Sequence, residues 1–358
     1  MDKSFHYYGV RVLAEKAGFS QEESQTIAYA GQYTDDATEF GPMIIAGIPR
    51  DFDFPRFDAR KNTFDPICTA HSASSWLTRL WKWAKFYLKA DVHRKILMPF
   101  HFLPPRPLAG NGSGAFDFVT RANSPLANAL MDQAIACLAG ATGQTRDYGL
   151  IKLGIAMHTY ADTWAHAGFS GRHNPRENDI TDIRVRRGKT FKRANPFEAL
   201  VSYAAPDVGH SEAGTLPDTT ATTWKAGYAH LRGGIIRSNP EAFLEAAREI
   251  YGRLVAVSGK PPVKWTALSP RISECLLTQT GWETAFPEVC FAYNRFEWRA
   301  KALTGDSIHW DNFDDEADFK KLNLKFTGTD MKWLFFHKAA HEQRRFVMEH
   351  IPALWENG

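Results

Sequence analysis

Residues 153–171 read "LGIAMHTYADTWAHAGFSG" and combine a helical pattern with three polar side chains at equal spacing. His158, Asp162 and His166 are four residues apart. A helix turns by about 100° per residue, so these side chains lie along one face, about 6 Å from one another. Imidazole and carboxylate groups are ligands for zinc and similar divalent ions. The stretch therefore predicts a helix whose polar face either binds metal or forms a buried hydrogen-bonded network.

Helix signals elsewhere predict a mainly α-helical protein. In three segments a capping side chain (Ser124, Asn195 or Asn239) directly precedes a proline, as at helix starts. The spacing of apolar residues predicts further helices at about 4–17, 21–40, 72–90, 148–168 and 331–350. Alternating strand patterns are weak. We expect a multi-helix bundle whose site is covered by long loops, at 41–70, 98–123, 169–194, 206–223 and 259–271.

The chain of 358 residues is long enough to bury a large core. The segment "GKPPVKW", residues 259–265, predicts a soft boundary between a helical body (1–258) that carries the site and a C-terminal helical portion (259–358) packed on the same domain. Four scattered cysteines without a C-x-x-C pair favour reduced thiols over a cysteine-based zinc site. A net charge of +3 does not by itself predict a polyanionic partner.

The sequence predicts a cytoplasmic protein. No run of about 18 to 20 apolar residues is present, and the N-terminus lacks the apolar segment of a secretory signal. Export by a route that needs no signal peptide remains the alternative.

Five blocks of sequence, in this order along the chain, resemble an uncharacterised bacterial family. They are "FHYYGVRVLAEKAGFS", "IAYAGQYTDDA", "MPFHFLP", "LGIAMHTYADTWAHAGFSG" and "GHSEAGTLPD". The resemblance covers most of residues 4–225. That family is in turn remotely similar to the helical zinc-dependent phospholipase C and P1 nuclease group.

This remote similarity implies the helical fold of that group and a site with one to three divalent ions, zinc in the first place. The residues in corresponding order are His6, Asp35 or Asp36, His71, His158, Asp162, His166 and His210. The step from Asp162 to His166 is shorter than in those enzymes, and their processed N-terminus itself binds metal, whereas this chain keeps Met1.

If metal is bound, hydrolysis of a phosphate ester in a phospholipid or a nucleic acid is the expected reaction. Asp162, between two histidines, is the best bridging ligand. Whichever of Asp35 and Asp36 is not a ligand would act as general base on the attacking water.

Three further features are candidates for binding a substrate or a surface. The run "RVRRGKTFKR" begins with Arg184, Arg186 and Arg187, which either bind substrate phosphate or an anionic membrane surface, or lie in a solvated loop. His101 in "FHFLPP" either lines the site or is structural. The aromatic and basic run 76–89 either contacts lipid or bases or packs as a core helix. No motif specific for nucleic acid is present.

Two other readings remain open at this point. The histidines and carboxylates could hold a structural metal or form a polar network in a non-enzymatic protein. The chain could also be an exported effector that attacks lipid.

Overall fold

The computed structural model describes residues 1–39, 41–70, 90–107, 116–193, 208–228, 230–278, 281–289, 292–305 and 323–352. The first helix opens with a π-helical turn, Ser4–Gly9. The helices that follow are α1 (Val10–Ala17), α2 (Gln21–Asp36), α3 (three successive turns, Ala90–Val92, His93–Leu97 and Met98–Phe100), α4 (Pro125–Ala136), α5 (Gly143–Ala165), α6 (Pro175–Asn178), α7 (Asn239–Ser258), α8 (Trp265–Thr278), α9 (Trp282–Ala285), α10 (Glu297–Ala302) and α11 (Lys332–Glu349).

Two sheets accompany the helices, so the expectation of an all-helical bundle is wrong. The strands are β1 (Met43–Ala46), β2 (Phe57–Asp58), β3 (Thr63–Phe64), β4 (Ile180–Arg187), β5 (Thr190–Arg193), β6 (Thr223–Tyr228), β7 (Leu231–Ser238), β8 (Leu303–Thr304) and β9 (Leu324–Phe326). One sheet has the order β2-β3-β1-β9-β8 and the other β5-β4-β6-β7. The segments 41–70 and 169–194, expected to be loops, contain five of these strands.

These strands escaped prediction for physical reasons. β1, β2 and β3 contain four residues or fewer, too few to show an alternating pattern. β4 and β5 consist largely of arginine, lysine and threonine, so their apolar residues are too few to show a strand pattern. β6 does alternate in burial along its six residues, but that is a single short run.

The central element is α5. Every residue from Gly149 to Ala165 is buried, and α2, α4, α7 and α11 pack around this helix. A helix enclosed on all sides can place polar groups away from solvent. Its contact with α2 is close at Gly154, where a Cβ atom would lie 2.3 Å from the carbonyl oxygen of Ile27. The polar face of α5 therefore lies on a helix that is buried along most of its length.

Predicted helix starts agree with the structure at one position and differ at another. Ser124 caps α4, and its Oγ accepts a hydrogen bond from the Ala127 amide. At α7 the cap is Ser238, while the Asn239 amide donates to the carbonyls of Leu216 and Thr219. The helix start at Asn195 and nearly all of the helix expected at 72–90, with the run 76–89, lie outside the described residues.

A second, smaller core joins the four-stranded sheet to the helices. Trp224 and Tyr228 of β6 pack in one cluster with Ile96 and Leu97 of α3 and with Phe102, which follows that helix. The sheet thus supports one wall of the site described next.

No helix in the described ranges is both long and apolar enough to cross a membrane.

Candidate metal centre

Helix α5 carries two of its polar side chains into the protein interior. His158 is fully buried and Asp162 is 1% exposed. His166 follows as the C-cap of the helix and is also buried. Buried charges require partners, because removing a carboxylate from water is costly unless it is paired or binds a metal. The partners come from four other segments of the chain.

The first group of ligand atoms lies around the facing nitrogens of His101 and His158. Nδ1 of His101 lies 3.3 Å from Nε2 of His158, and Asp162 Oδ2 lies 3.4 Å and 3.3 Å from these two nitrogens. Asp35 Oδ1 lies 3.8 Å and 3.6 Å from the same nitrogens. A tetrahedral ion with bonds of about 2.1 Å separates its ligand atoms by about 3.4 Å. The distances of the carboxylate oxygens from the two nitrogens, and of the nitrogens from each other, are therefore close to those between ligands of one zinc ion.

A second group lies at the C-terminal end of α5. His166 Nε2 lies 3.0 Å from Asp218 Oδ1, and His210 Nε2 lies 3.2 Å from Asp218 Oδ2. His210 and Asp218 belong to the segment that precedes β6, which passes beside the end of the helix. Two imidazoles and a carboxylate are a common ligand set for zinc.

A third group shares the other oxygen of Asp162. His6 Nε2 lies 3.0 Å from Asp162 Oδ1, and the amino group of Met1 lies 2.5 Å from the same oxygen. That amino group is also 3.1 Å from Asp218 Oδ1. The His6 ring stacks on His158 with centroids 3.9 Å apart. Asp162 thus faces the first group with one oxygen and the third group with the other.

Main-chain carbonyls orient three of the imidazole rings. His101 donates from Nε2 to the Thr69 carbonyl over 2.8 Å, which leaves its Nδ1 lone pair facing the cluster. His166 donates from Nδ1 to the His101 carbonyl, and His210 donates from Nδ1 to the Gly214 carbonyl. Such hydrogen bonds fix the tautomer and the ring plane of metal-binding histidines.

The pKa shifts favour ligand-competent states of the deepest groups. Burial raises the pKa of Asp162, but His166, the Met1 amino group and His158 outweigh burial and hold it well below its usual value. Burial, reinforced by His158, keeps the pKa of His6 well below its ordinary value, so its imidazole is neutral. Metal ligands must be ionised carboxylates and neutral imidazoles.

Two further groups report the negative potential of the cluster. Burial lowers the pKa of the Met1 amino group, yet Asp162 and Asp218 together raise it to about 11. Burial also acts against a proton on His101, yet its hydrogen bond to Asp162 and the charge of Asp35 raise its pKa. The carboxylates therefore attract positive charge to this point, as a cation site must.

The cluster opens into a cleft of about 190 Å³. Asp35 reaches this cleft with 31% of its side chain exposed, and burial raises its pKa to about 6 despite the nearby His158 and His101. Apolar residues also line the cleft, among them Ile96, Leu97 and Phe102. The Phe102 ring stacks on His166 at 4.4 Å between centroids. The lining of the cleft thus combines the polar cluster with apolar side chains.

The structure brings together most of the residues expected from the sequence, namely His6, Asp35, His158, Asp162, His166 and His210. Asp36 points elsewhere, because it accepts hydrogen bonds from Gln32 and Tyr293. His71 lies outside the described residues. Arg184, Arg186 and Arg187 lie on β4 and are not among the residues that line the cleft.

Three members of the cluster were not expected as ligands. His101 was expected to line the site or to be structural, yet its ring nitrogen lies within the first group. Asp218 follows His210 in a segment without a helical pattern, so their spacing did not predict that the two side chains share a site. The Met1 amino group carries no signal in a pattern of side chains.

The family model described as "Family of unknown function (DUF6765)" matches residues 1–351. No curated protein and no solved structure matches this chain.

Proposed function

The chain belongs to DUF6765, a family of unknown function, and we propose that it is a metal-dependent hydrolase of phosphate esters. The observation that carries this proposal is the position of Asp162, whose two oxygens face separate groups of ligand atoms. A carboxylate shared in this way is how metal ions are held close enough to act on one phosphate.

The donor set favours zinc. Five imidazoles and three carboxylates converge, without a thiolate, from His6, His101, His158, His166, His210, Asp35, Asp162 and Asp218. Asp35, His101, His158 and Asp162 would hold one ion, and His166, His210 and Asp218 a second. His6 and Asp162 would hold a third, joined by the Met1 amino group once the metal has displaced the proton that this group carries at neutral pH. We propose one to three ions per chain.

Divalent ions at such a site lower the pKa of a bound water and polarise a phosphoryl oxygen. The side chains of the protein would position the attacking water and the leaving group. Asp35 is the carboxylate that reaches the cleft, and it would accept a hydrogen bond from the attacking water and so orient it. Ile96, Leu97 and Phe102 would cover the leaving group and exclude bulk water from that side.

Support for this reaction also comes from the order of the ligands along the chain. A histidine near the N-terminus, an early aspartate, a histidine and aspartate pair on a central helix and a later histidine follow the order in the zinc-dependent phospholipase C and P1 nuclease group. On this basis the substrate is a phospholipid or a nucleic acid.

The test is hydrolysis of a chromogenic phosphodiester by protein that has been stripped with a chelator and then reloaded with zinc. We expect turnover only after reloading. Protein that binds stoichiometric metal but shows no turnover with zinc, manganese or cobalt would contradict the proposal. That result would favour a metal whose role is to stabilise the fold.

A further inference from the structure

The four-stranded sheet carries the densest positive charge in the sequence. Residues 180–193 contain six lysine and arginine residues against one carboxylate, Asp182. This excess is larger than the net charge of +3 of the whole chain. The strands β6 and β7 add Lys225, Arg232 and Arg237 without an acidic residue. The remainder of the chain is therefore net negative, and positive charge is concentrated in one element.

The strand register shows which of these side chains share the outward face. Val185, Trp224 and Arg237 are register partners, and burial of Trp224 identifies their side as the inner face. The neighbouring row lies on the other side, and it runs Arg193, Arg184, Lys225, Ile236 across all four strands. Arg193 and Ile236 are exposed at its two ends.

Folding itself does not account for this row. Like charges directly opposite one another on neighbouring strands destabilise a sheet. Arg184 pairs with Asp182 over 2.9 Å, but the described residues offer Arg193 and Lys225 no carboxylate within ion-pair distance. The hydrogen bond from Arg184, with the charges of Arg193 and Lys225, lowers the pKa of Asp182. A positive face that costs stability indicates selection for an anionic partner.

The apolar groups on this face distinguish between two kinds of anionic partner. Single-stranded nucleic acid is bound through aromatic rings on which bases stack. Phe191 is the aromatic residue in this part of the face, but Arg186 and Lys225 lie 5.3 Å and 5.2 Å from its ring centroid and occupy its surroundings. Ile236, by contrast, is 66% exposed beside Lys225. Exposed aliphatic side chains next to cations suit a lipid surface.

We propose that the outer face of the four-stranded sheet docks on membranes that contain anionic lipids. Arg184, Arg193 and Lys225 contact the headgroups, and Ile236 reaches the boundary of the acyl chains. The contact is peripheral and reversible, because it combines a polybasic patch with a single exposed aliphatic side chain. This inference stands apart from the metal centre, since it concerns binding and not turnover.

The test is flotation of the purified full-length protein with vesicles of phosphatidylcholine, with or without phosphatidylglycerol. We expect binding only to the anionic vesicles and its loss at high salt, where surface charges are screened. The triple variant Arg184→Gln, Arg193→Gln, Lys225→Gln should bind about 100-fold more weakly, from the usual contribution of each basic residue at a membrane surface.

A charge-matched control removes three cations elsewhere, through Lys61→Gln, Lys301→Gln and Arg345→Gln, which are 78%, 55% and 66% exposed. This control should bind as the wild type does. The triple variant loses like-charge repulsion, so its thermal midpoint should not fall, and weaker binding is then not a loss of fold.

A second pair tests the aliphatic contact. Ile236→Ser should weaken vesicle binding about tenfold, as expected when one buried aliphatic side chain is lost. Leu277→Ser, at a position of similar exposure (59%), should leave binding unchanged.

Equal binding to neutral and anionic vesicles would overturn the proposal. It would also be overturned if the control triple variant lost as much vesicle binding as the variant of Arg184, Arg193 and Lys225. Tighter binding to an oligonucleotide than to anionic vesicles would assign the face to nucleic acid instead and would also overturn it. Protein that hydrolyses a soluble phosphodiester but does not float contradicts only the docking proposal. Protein that floats without hydrolysis contradicts only the proposed function.

Discussion

His101 Nδ1 and His158 Nε2 lie 3.3 Å apart, although 57 residues separate them in the sequence. The other nitrogen of His101 is engaged by the Thr69 carbonyl, so a neutral His101 presents a lone pair to its partner. Nδ1 of His158 has no hydrogen-bond partner among the described residues. A cation between the two rings and the carboxylates of Asp35 and Asp162 satisfies all four groups at once. The short distance between these two nitrogens is the main structural support for the metal centre.

Asp35 and Asp36 are adjacent, yet the structure gives them different surroundings. Asp35→Asn should reduce turnover of a chromogenic phosphodiester by about 100-fold or more, because a cluster carboxylate is lost. Asp36→Asn is the matched control. It keeps an acceptor for Gln32 and Tyr293 and should retain activity within about threefold. Equal loss in both variants would contradict the position assigned to Asp35.

Substitution of Asp162 should remove more metal ions from the protein than substitution of any single histidine of the cluster. Because its two oxygens face different groups, Asp162→Asn should abolish binding of every ion except the one held by His166, His210 and Asp218. His210→Ala should remove only that ion. His341→Ala, a half-buried histidine on α11, is the control and should keep full metal content. Elemental analysis of protein purified without chelators measures this, and unchanged metal in Asp162→Asn would refute the shared ligand.

Two helical glycines, one in the contact between α2 and α5 and one on α7, should respond in opposite ways to substitution by alanine. Gly154→Ala places a methyl group against the Ile27 carbonyl and the Ala30 side chain, so it should lower the free energy of unfolding by about 1 to 3 kcal/mol. Gly252 lies in the interior of α7 with no atom within 4 Å of an added Cβ. Gly252→Ala should therefore stabilise by about 0.5 to 1 kcal/mol. Urea unfolding of both variants measures these changes in the free energy of unfolding. A change of the same sign in both variants would contradict the close packing at Gly154.

His337 predicts a pH dependence of stability that is separate from the metal centre. Burial lowers the pKa of His337 to about 3, with a further contribution from Arg299, and its Nδ1 accepts a hydrogen bond from the Ile67 amide. An unfolded histidine has a pKa of about 6.5, so between these values the unfolded state binds one more proton. The free energy of unfolding should fall by about 1.4 kcal/mol per unit as the pH drops below 6.5, and should gain nothing above it.

The comparison for this prediction is His337→Asn, which keeps an acceptor but does not titrate. Its free energy of unfolding should change less steeply between pH 6.5 and pH 4 than that of the wild type. Parallel pH profiles would exclude His337 as the source of the dependence.

The α5 helix and its polar face were predictable from the sequence, because His158, Asp162 and His166 repeat with the helical period. The short ladder of β1 and β9 was not, since two residues per strand pair across more than 270 positions of sequence. Pairing of that kind is decided by tertiary packing and leaves no local pattern.

The ligands that the sequence could not assign have one feature in common. His101 and Asp218 follow the end of a helix or lie in an irregular segment, where no periodicity states which way a side chain points. Asp35 and Asp36 could not be separated for a related reason, because neighbours on a helix end differ by about 100° in direction. Tyr293, some 257 residues away, is what turns Asp36 from the cluster.

Anomalous diffraction at the zinc absorption edge, from crystals grown with zinc, tests the central claim most directly. The account predicts a peak bonded to His101 Nδ1 and His158 Nε2 at about 2.1 Å, with Asp35 and Asp162 completing a tetrahedron. Absence of a peak between these two nitrogens, with the rings still 3.3 Å apart, would contradict it.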